Sequence, residues 1–312
     1  MRKRKGTGEM NEVSKAVNSL TTGDIVTLKR KEIRDSVKNI TSTEARFLVD
    51  YYYIAQRERI RFDNQIRSMN KDNEPTLILN FMSGQSDLRE KIMKNALDDY
   101  TKDHDVGSWM RSIHGIGPVT AAGLLAHIDI TRAPTAGAIW SFAGIDGVSK
   151  WEKGQKRPFN ATLKTLCYKI GEGFVKVSNN EASVYGKLYK ERKALETAKN
   201  ARGDFADQAA NLLATKNYSK GTATRKCLEA GLLSPAHIHA RARRYAVKMF
   251  LSHLHHVMYV TILNKLPPVP FAIAHLNHAH YFEIPNKNLI KDFVEPIEIF
   301  DDNDPRDEDE IR

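Results

Sequence analysis

The amino-acid sequence predicts a mainly α-helical fold, in which a helical arm is followed by a helical central domain and by further helices. Apolar residues recur every three or four positions over long stretches, which is the period of an amphipathic helix. Ser, Thr and Pro stand where these stretches begin, and Asn and Pro stand where they end. No segment alternates apolar and polar residues as a half-buried strand does, and no internal repeat occurs.

Residues 41–104 are predicted to form the helical arm. Ser42 or Thr43 can cap a first helix, and the run Asn73-Glu-Pro75 ends it. A second helix is expected from about Ser86 to Tyr100. Two long helices with a short break between them predict a helical hairpin or a coiled-coil arm, through which we expect the chain to form a homo-oligomer.

The stretch from Trp109 to His127 places two glycines on either side of one apolar residue, between two helical stretches. Ile116 can anchor this turn in the core, while Gly115 and Gly117 permit backbone angles and close approaches that side chains would block. Pro118 then begins the second helix, where a missing N–H costs little and the free amides of the first turn can bind a phosphate. This helix-hairpin-helix pattern predicts backbone contacts to nucleic acid without strong sequence preference, although an ordinary turn between two helices is the alternative. The predicted contact residues are Gly115, Ile116, Gly117, Pro118, Val119 and Thr120.

Within the predicted helix-hairpin-helix domain, residues 105–200, a run of cations interleaved with aromatic residues follows the turn and extends to Lys169. Cations among aromatic residues are typical of surfaces that hold phosphates and stack on bases. The alternative is a solvated basic face whose aromatic residues, Trp151, Phe159 and Tyr168, lie in the core. The predicted phosphate contacts are Lys150, Lys153, Lys156, Arg157 and Lys164.

The two ends of the chain differ in charge. Residues 1–40 are predicted to form a basic arm with a short helix, and residues 292–312 an acidic, disordered tail. The formal net charge is +10, but residues 291–312 hold ten acidic and three basic residues, so the first 290 residues carry +17. A body this basic indicates a polyanionic partner, most often a nucleic acid.

The helical carboxy-terminal part, residues 201–291, is rich in histidine. His275, His278 and His280 are candidate zinc ligands, together with histidines of the preceding helix. No acidic residue lies among them before Glu283, and no HExxH motif occurs, so packed polar groups are the alternative. We therefore predict no metal and no other cofactor.

Cysteine usage and hydropathy indicate a location. Cys167 and Cys227 form no CxxC pair, so neither a thiolate zinc site nor a disulfide framework is expected. No apolar run approaches the about 20 residues that a membrane-spanning helix needs. The basic start is not followed by the apolar segment of a secretory signal. We expect a cytoplasmic protein that makes no membrane contact.

The hairpin and the segment that follows it resemble a known protein family. The run His114-Gly-Ile-Gly-Pro-Val-Thr-Ala-Ala-Gly-Leu-Leu-Ala126, followed by Ile139-Trp-Ser-Phe-Ala-Gly-Ile145, is similar to the carboxy-terminal domain of the DEDD-type, bridge-RNA-guided insertion-sequence transposases. The resemblance covers residues 109–175, and the helical arm is similar to the coiled coil that precedes this domain in the family. It implies a transposase-like, DNA-binding protein of mobile-element or phage recombination, with structured RNA as a second candidate partner.

The sequence departs from this family in two places. Family members begin with a RuvC-like nuclease domain that carries four acidic metal ligands, whereas no β-rich acidic segment precedes the arm here. The family also has a nucleophilic serine in a Ser-Gly pair, and the nearest serine, Ser149, has no glycine after it. We therefore expect nucleic-acid binding without catalysis. Two alternatives stay open: an active recombinase or nuclease that uses Ser149 or a bound metal, and a structural or assembly protein of a phage or larger complex.

Overall fold

The computed structural model describes residues 35–147, 151–268 and 283–290. Most of the predicted basic arm and the whole acidic tail lie outside these residues. So do Ser149, Lys150, His275, His278 and His280. Within the described residues, no group of three or more His, Cys, Asp or Glu side chains is placed to hold a metal ion.

Helices joined by loops make up the described part of the chain, which contains no β-strand, and this confirms the predicted mainly α fold. No described helix is apolar over a length that would cross a bilayer. Single turns of 3₁₀ helix lie at Ile130–Arg132 and Lys287–Leu289. The α-helices are α1 (Ser42–Lys71), α2 (Leu77–Lys102), α3 (Asp105–Ser112), α4 (Pro118–His127), α5 (Ala136–Phe142), α6 (Ala161–Lys176), α7 (Val184–Ala201), α8 (Ala206–Thr215), α9 (Ala223–Glu229) and α10 (Pro235–Leu263).

Helix α1 begins with a capping box at Thr41. The Thr41 hydroxyl accepts a hydrogen bond from the Glu44 amide at 3.2 Å, and the Thr41 amide donates to the Glu44 carboxylate at 2.7 Å. The predicted caps, Ser42 and Thr43, are therefore wrong. Only Thr41 has a glutamate three residues later, so only Thr41 can form both hydrogen bonds of the box.

Helix α2 begins at Leu77, well before the predicted start at Ser86. Leu77 and Phe81 in its first turns are 79% and 61% exposed, so these turns lack the buried stripe by which a sequence reveals a helix. Helices α1 and α2 lie side by side. The Arg59 guanidinium is 2.8 Å from the Glu90 carboxylate, and the Tyr52 hydroxyl also donates to Glu90 at 3.0 Å. These contacts link the two helices of the arm.

The main core forms around aromatic side chains from four helices. Trp109 of α3 stacks on Phe250 of α10, with 6.0 Å between the ring centroids. The rings of Phe174 in α6 and Tyr185 in α7 lie 5.6 and 5.4 Å from the same Phe250 ring. Burial of a side chain of this size stabilises a fold by about 1.5–3 kcal/mol, so this cluster contributes much of the attraction among α3, α6, α7 and α10.

A second core joins the base of the arm to α4. Val49 of α1 and Leu97 of α2 are buried together with Ala122 of α4 and Leu166 of α6. Leu124, also on α4, is buried in the main core. Helix α4 therefore packs on the arm with one side and on the main core with the other. The positions of the arm and of the turn before α4 depend on the same helix.

The buried histidines of α10 are hydrogen-bonded to protein groups. The Tyr185 hydroxyl lies 2.7 Å from Nδ1 of His253, and Nε2 of His255 lies 2.9 Å from the Ala133 carbonyl, to which it donates. Burial lowers the pKa of His255, although its hydrogen bond to Ala133 acts in the opposite direction. These two histidines serve as packed polar groups of the core.

We predict that the protein loses stability as the pH falls from about 7 to 5. The unfolded imidazole of His255 takes up a proton near the ordinary histidine pKa of about 6.5, whereas the folded one, with its lowered pKa, resists protonation. The unfolded state therefore binds more protons in this window, and the free energy of unfolding decreases. Urea unfolding across this pH range measures the effect.

The control for this prediction is a histidine on the surface. His255→Gln should flatten the dependence of stability on pH, whereas His114→Gln, at an exposed position, should leave it unchanged. An identical pH dependence in the His255→Gln variant would contradict the prediction.

Candidate nucleic-acid interface

The predicted turn joins α3, which ends at Ser112, to α4, which begins at Pro118. Ile116 is buried in the core, as the pattern predicts. Arg111 links the turn to α2. Its guanidinium donates one hydrogen bond to the Ile116 carbonyl at 2.8 Å and another to the Asp98 carboxylate of α2 at 2.9 Å. A single arginine side chain thus connects the turn to the arm.

The first glycine of the turn is required by the fold. Gly115 has a φ of +97°, a conformation that residues with a Cβ atom rarely adopt. A Cβ atom at Gly115 would lie 3.0 Å from the Phe174 ring, and one at Gly173 would lie 2.5 Å from the Gly115 carbonyl oxygen. The two glycines let the turn contact the backbone of α6 directly.

The second glycine of the turn is not required by the described residues. Gly117 is extended, with φ −92° and ψ 169°, a conformation that any residue adopts. A Cβ atom at this position would meet nothing within 4 Å. The space directly before α4 is therefore open, and a ligand could approach the backbone there.

The first turn of α4 offers fewer free amides than the sequence predicts. The Gly117 amide donates to the Thr120 hydroxyl at 3.1 Å, and that hydroxyl donates to the Gly117 carbonyl at 2.9 Å. Pro118 has no N–H to offer. Within the described residues, the amides of Val119 and Thr120 are those in this turn that have no hydrogen-bond acceptor. Two amides at the positive end of a helix dipole can still bind one anionic group.

Lys169 and Lys176 of α6 flank Gly173, which contacts the turn, and the positive charge of Arg57 on α1 acts on Lys169; these three cations are here called the turn cations. Lys169, Gly173 and Lys176 are four and three residues apart, so they share one stripe of α6, and this stripe contacts the turn at Gly173. Nζ of Lys169 is 4.0 Å from the ring centroid of Tyr53 on α1. Burial and the positive charges of Arg57 and Lys176 lower the pKa of Lys169. The sequence analysis missed Arg57 and Lys176, because their position is meaningful only once α6 is known to contact the turn.

The predicted basic stretch forms an exposed loop before α6, residues 151–160, here called the basic loop. The guanidinium of Arg157 lies 5.0 Å from the Trp151 ring, and Nζ of Lys164 lies 4.0 Å from the Phe159 ring. Trp151 and Tyr168 are 41% and 55% exposed and Phe159 is half-buried, so these rings are not core residues. The exposed predicted cations of this region are Lys153, Lys156, Arg157 and Lys164.

The turn and the basic loop lie at opposite ends of α4. At the start of α4, Gly115 contacts Gly173 of α6. At its end, Nδ1 of His127 is 3.4 Å from Nδ2 of Asn160, the last residue of the basic loop. Helix α4 has 10 residues and is therefore about 15 Å long. The structure does not bring the two predicted groups of contact residues into one site but presents them as two surfaces.

Residues 108–156, from α3 to the basic loop, match the Transposase IS116/IS110/IS902 family. This match supports membership of a transposase family, and it rests on the segment that contains the turn. The arm and the helices from α6 onward lie outside the matched residues. No curated protein and no solved structure matches the chain.

We predict that the two glycines of the turn contribute unequally to stability. Gly115→Ala should lower the free energy of unfolding by about 1–3 kcal/mol, because the new side chain must adopt a positive φ beside α6. Gly117→Ala, in extended backbone with open space around it, should change the same quantity by less than about 0.5 kcal/mol. Urea unfolding of both variants measures the difference. Equal losses in the free energy of unfolding would contradict the different roles assigned to the two glycines.

Proposed function

We propose that this chain, whose residues 108–156 match a transposase family, is a nucleic-acid-binding protein of mobile-element or phage recombination that contacts the phosphate backbone through the turn. The observations that carry the proposal are the open space at Gly117 and the turn cations, two of which lie on the stripe of α6 that contacts Gly115. The fold of the described residues does not require a glycine at this position. At the start of a helix near positive charge, a glycine lets a phosphate come close to the backbone, because it has no side chain to block the approach.

A phosphate before α4 would have two kinds of partner. The amides of Val119 and Thr120 can donate hydrogen bonds at the positive end of the helix dipole. The turn cations supply positive charge, and burial together with the charges of Arg57 and Lys176 lowers the pKa of Lys169, so the three cations repel one another. A bound anion relieves that repulsion.

None of these groups reads the edge of a base, so this mode of binding has little sequence preference. Its affinity should decrease steeply with salt, because each phosphate contact releases a condensed counterion. DNA is the proposed partner. Structured RNA carries the same backbone charge, and we propose it as the second nucleic acid to be measured.

We predict that Gly117→Glu weakens binding to a DNA duplex by at least about tenfold, because it places a carboxylate where the phosphate would lie. Gly117→Ala adds a methyl group without charge and should retain most of the affinity. Fluorescence anisotropy with labelled duplex and with structured RNA measures both variants. Unaltered binding by a folded Gly117→Glu protein would remove the turn from the proposed interface.

The turn cations allow a separate measurement. The variant Lys169→Gln with Lys176→Gln should reduce the slope of log affinity against log salt for a duplex by about 1.8, since each lost phosphate contact accounts for about 0.9. The matched control is Lys187→Gln with Lys190→Gln, which removes the same charge from exposed positions of α7. The same slope in both double variants would exclude the turn cations from the interface.

We also propose that the arm forms a homo-oligomer. Helix α2 has an exposed apolar stripe of four residues. Successive residues of the stripe are separated by four, seven and four positions, so they lie on one face of the helix. Large exposed apolar patches commonly mark interaction surfaces of folded proteins. The residues of the stripe are Leu77 (79% exposed), Phe81 (61%), Leu88 (52%) and Ile92 (43%).

We predict that Phe81→Glu with Leu88→Glu converts the oligomer to a monomer, because it would bury two carboxylates in the contact between copies. Sedimentation velocity measures the change. Lys94→Glu, at an exposed polar position of the same helix, should leave the oligomer intact. A monomeric unaltered protein would contradict this proposal, whereas a fixed oligomer without nucleic-acid affinity would favour a structural or assembly protein.

A further inference from the structure

Helix α10 carries a second group of cations, which the proposed function does not use. Two members of this group are paired with acidic side chains. The Arg241 guanidinium lies 2.6 Å from the Glu196 carboxylate, and Arg243 forms an ion pair with Glu172 of α6. Each of these two arginines therefore has an acidic partner within the protein, and Arg241 shares Glu196 with Arg192.

The other two cations, Arg244 and Lys248, lie four residues apart and share one face of α10. Arg244 is exposed and forms no ion pair with any described residue. Nζ of Lys248 donates to the Asp146 carbonyl at 3.3 Å and lies 5.0 Å from the Trp140 ring centroid. Burial lowers the pKa of Lys248; the Asp146 carboxylate opposes this, and the positive charge of Arg244 adds to it. The two cations thus repel each other, and an anion between them would relieve that repulsion.

An exposed aromatic ring contacts Arg243, the residue before Arg244. Tyr168 of α6 is 55% exposed, and the guanidinium of Arg243 covers its ring at 4.0 Å from the centroid. Arg243 precedes Arg244 in α10, and the positive charges of Arg241 and Arg243 add to the effect of partial burial in lowering the pKa of Arg244. A ring with this exposure can stack on a flat ligand group, such as a nucleic-acid base.

The same cations adjoin the basic loop. Lys248 contacts the carbonyl of Asp146, two residues after Gly144. A Cβ atom at Gly144 would lie 2.6 Å from the Phe159 ring, which shows how closely the basic loop packs there. The segment formed by residues 144–146 therefore contacts both Lys248 of α10 and the basic loop.

We propose that Arg244, Lys248 and Tyr168 form a second nucleic-acid-binding surface that takes an unpaired strand. The phosphates of the strand lie at Arg244 and Lys248, and a base stacks on Tyr168. An unpaired strand fits better than a duplex, because bases within a duplex are already stacked on one another and cannot lie on a protein ring. This inference rests on the proposed function in that both assume a nucleic-acid partner, but it uses none of the residues of the turn.

The test measures the binding of the full chain to three labelled probes across a salt series: a thymidine oligonucleotide, the matching uridine oligonucleotide and a DNA duplex. The variants are Arg244→Gln with Lys248→Gln, Arg244→Gln alone in case the half-buried Lys248 is needed for folding, and Tyr168→Leu. Lys187→Gln with Lys190→Gln is the charge-matched control. Circular dichroism of each variant confirms that it is folded.

The double variant should bind the oligonucleotides about tenfold more weakly, and its salt slope should be lower by about 1.4, since each phosphate of a single strand contributes about 0.7. Tyr168→Leu should lose about tenfold in affinity with an unchanged salt slope, because stacking releases no counterions. Duplex binding should change in none of these variants. Loss with the thymidine or the uridine probe supports the proposal and identifies which nucleic acid the surface prefers.

Affinities for both oligonucleotides that equal those of the control variant would overturn the inference, and so would an equal loss for the duplex and the oligonucleotides. The proposed function fails by a different result, namely unaltered duplex binding by Gly117→Glu. If that occurs while the Arg244 and Lys248 double variant loses oligonucleotide binding, the proposal of a second surface is supported and the proposal that the turn binds nucleic acid is rejected.

Discussion

The close packing of α4 between the arm and the main core determines where the turn and the basic loop lie. This packing depends on small side chains. Ala121 and Ala122 are fully buried, and a Cβ atom at Gly123 would lie 2.6 Å from Leu166 of α6. Because α4 has small side chains along much of its length, four helices can pack closely against it: α1, α2, α3 and α6. The turn is then pressed against α6, where Gly115 has no room for a side chain.

The sequence identifies the turn between α3 and α4 and the two helices on either side of it, because these features are local. A glycine, an apolar residue and a second glycine between two helical periods already indicate that Ile116 is buried. The pattern does not distinguish the two glycines. Gly115 is determined by its φ angle and by the neighbouring α6, whereas Gly117 has open space, and only the three-dimensional packing separates these cases.

The candidate surfaces are less accessible to sequence reasoning, since they combine residues that are distant in the chain. The turn cations come from α1 and α6, and nothing in the spacing of Arg57 relates it to Lys169. Arg244 and Lys248 are separated by many residues from Tyr168. In the sequence alone they resemble an ordinary solvated helix face, because the packing of α10 against α6 is not known. The start of α2 is missed for the opposite reason, because its apolar residues face outward.

Arg111 has a mechanical consequence. One guanidinium bonds both to Asp98 near the end of the arm and to the carbonyl of Ile116 inside the turn. Helix α1 has 30 residues, so the arm is about 45 Å long, and its base is held both by this arginine and by the second core. A change in the angle between the arm and α4 would alter the geometry of the charge-assisted hydrogen bond between Arg111 and Asp98. The orientation of the arm and the geometry of the turn are therefore coupled, so a change in one is accompanied by a change in the other.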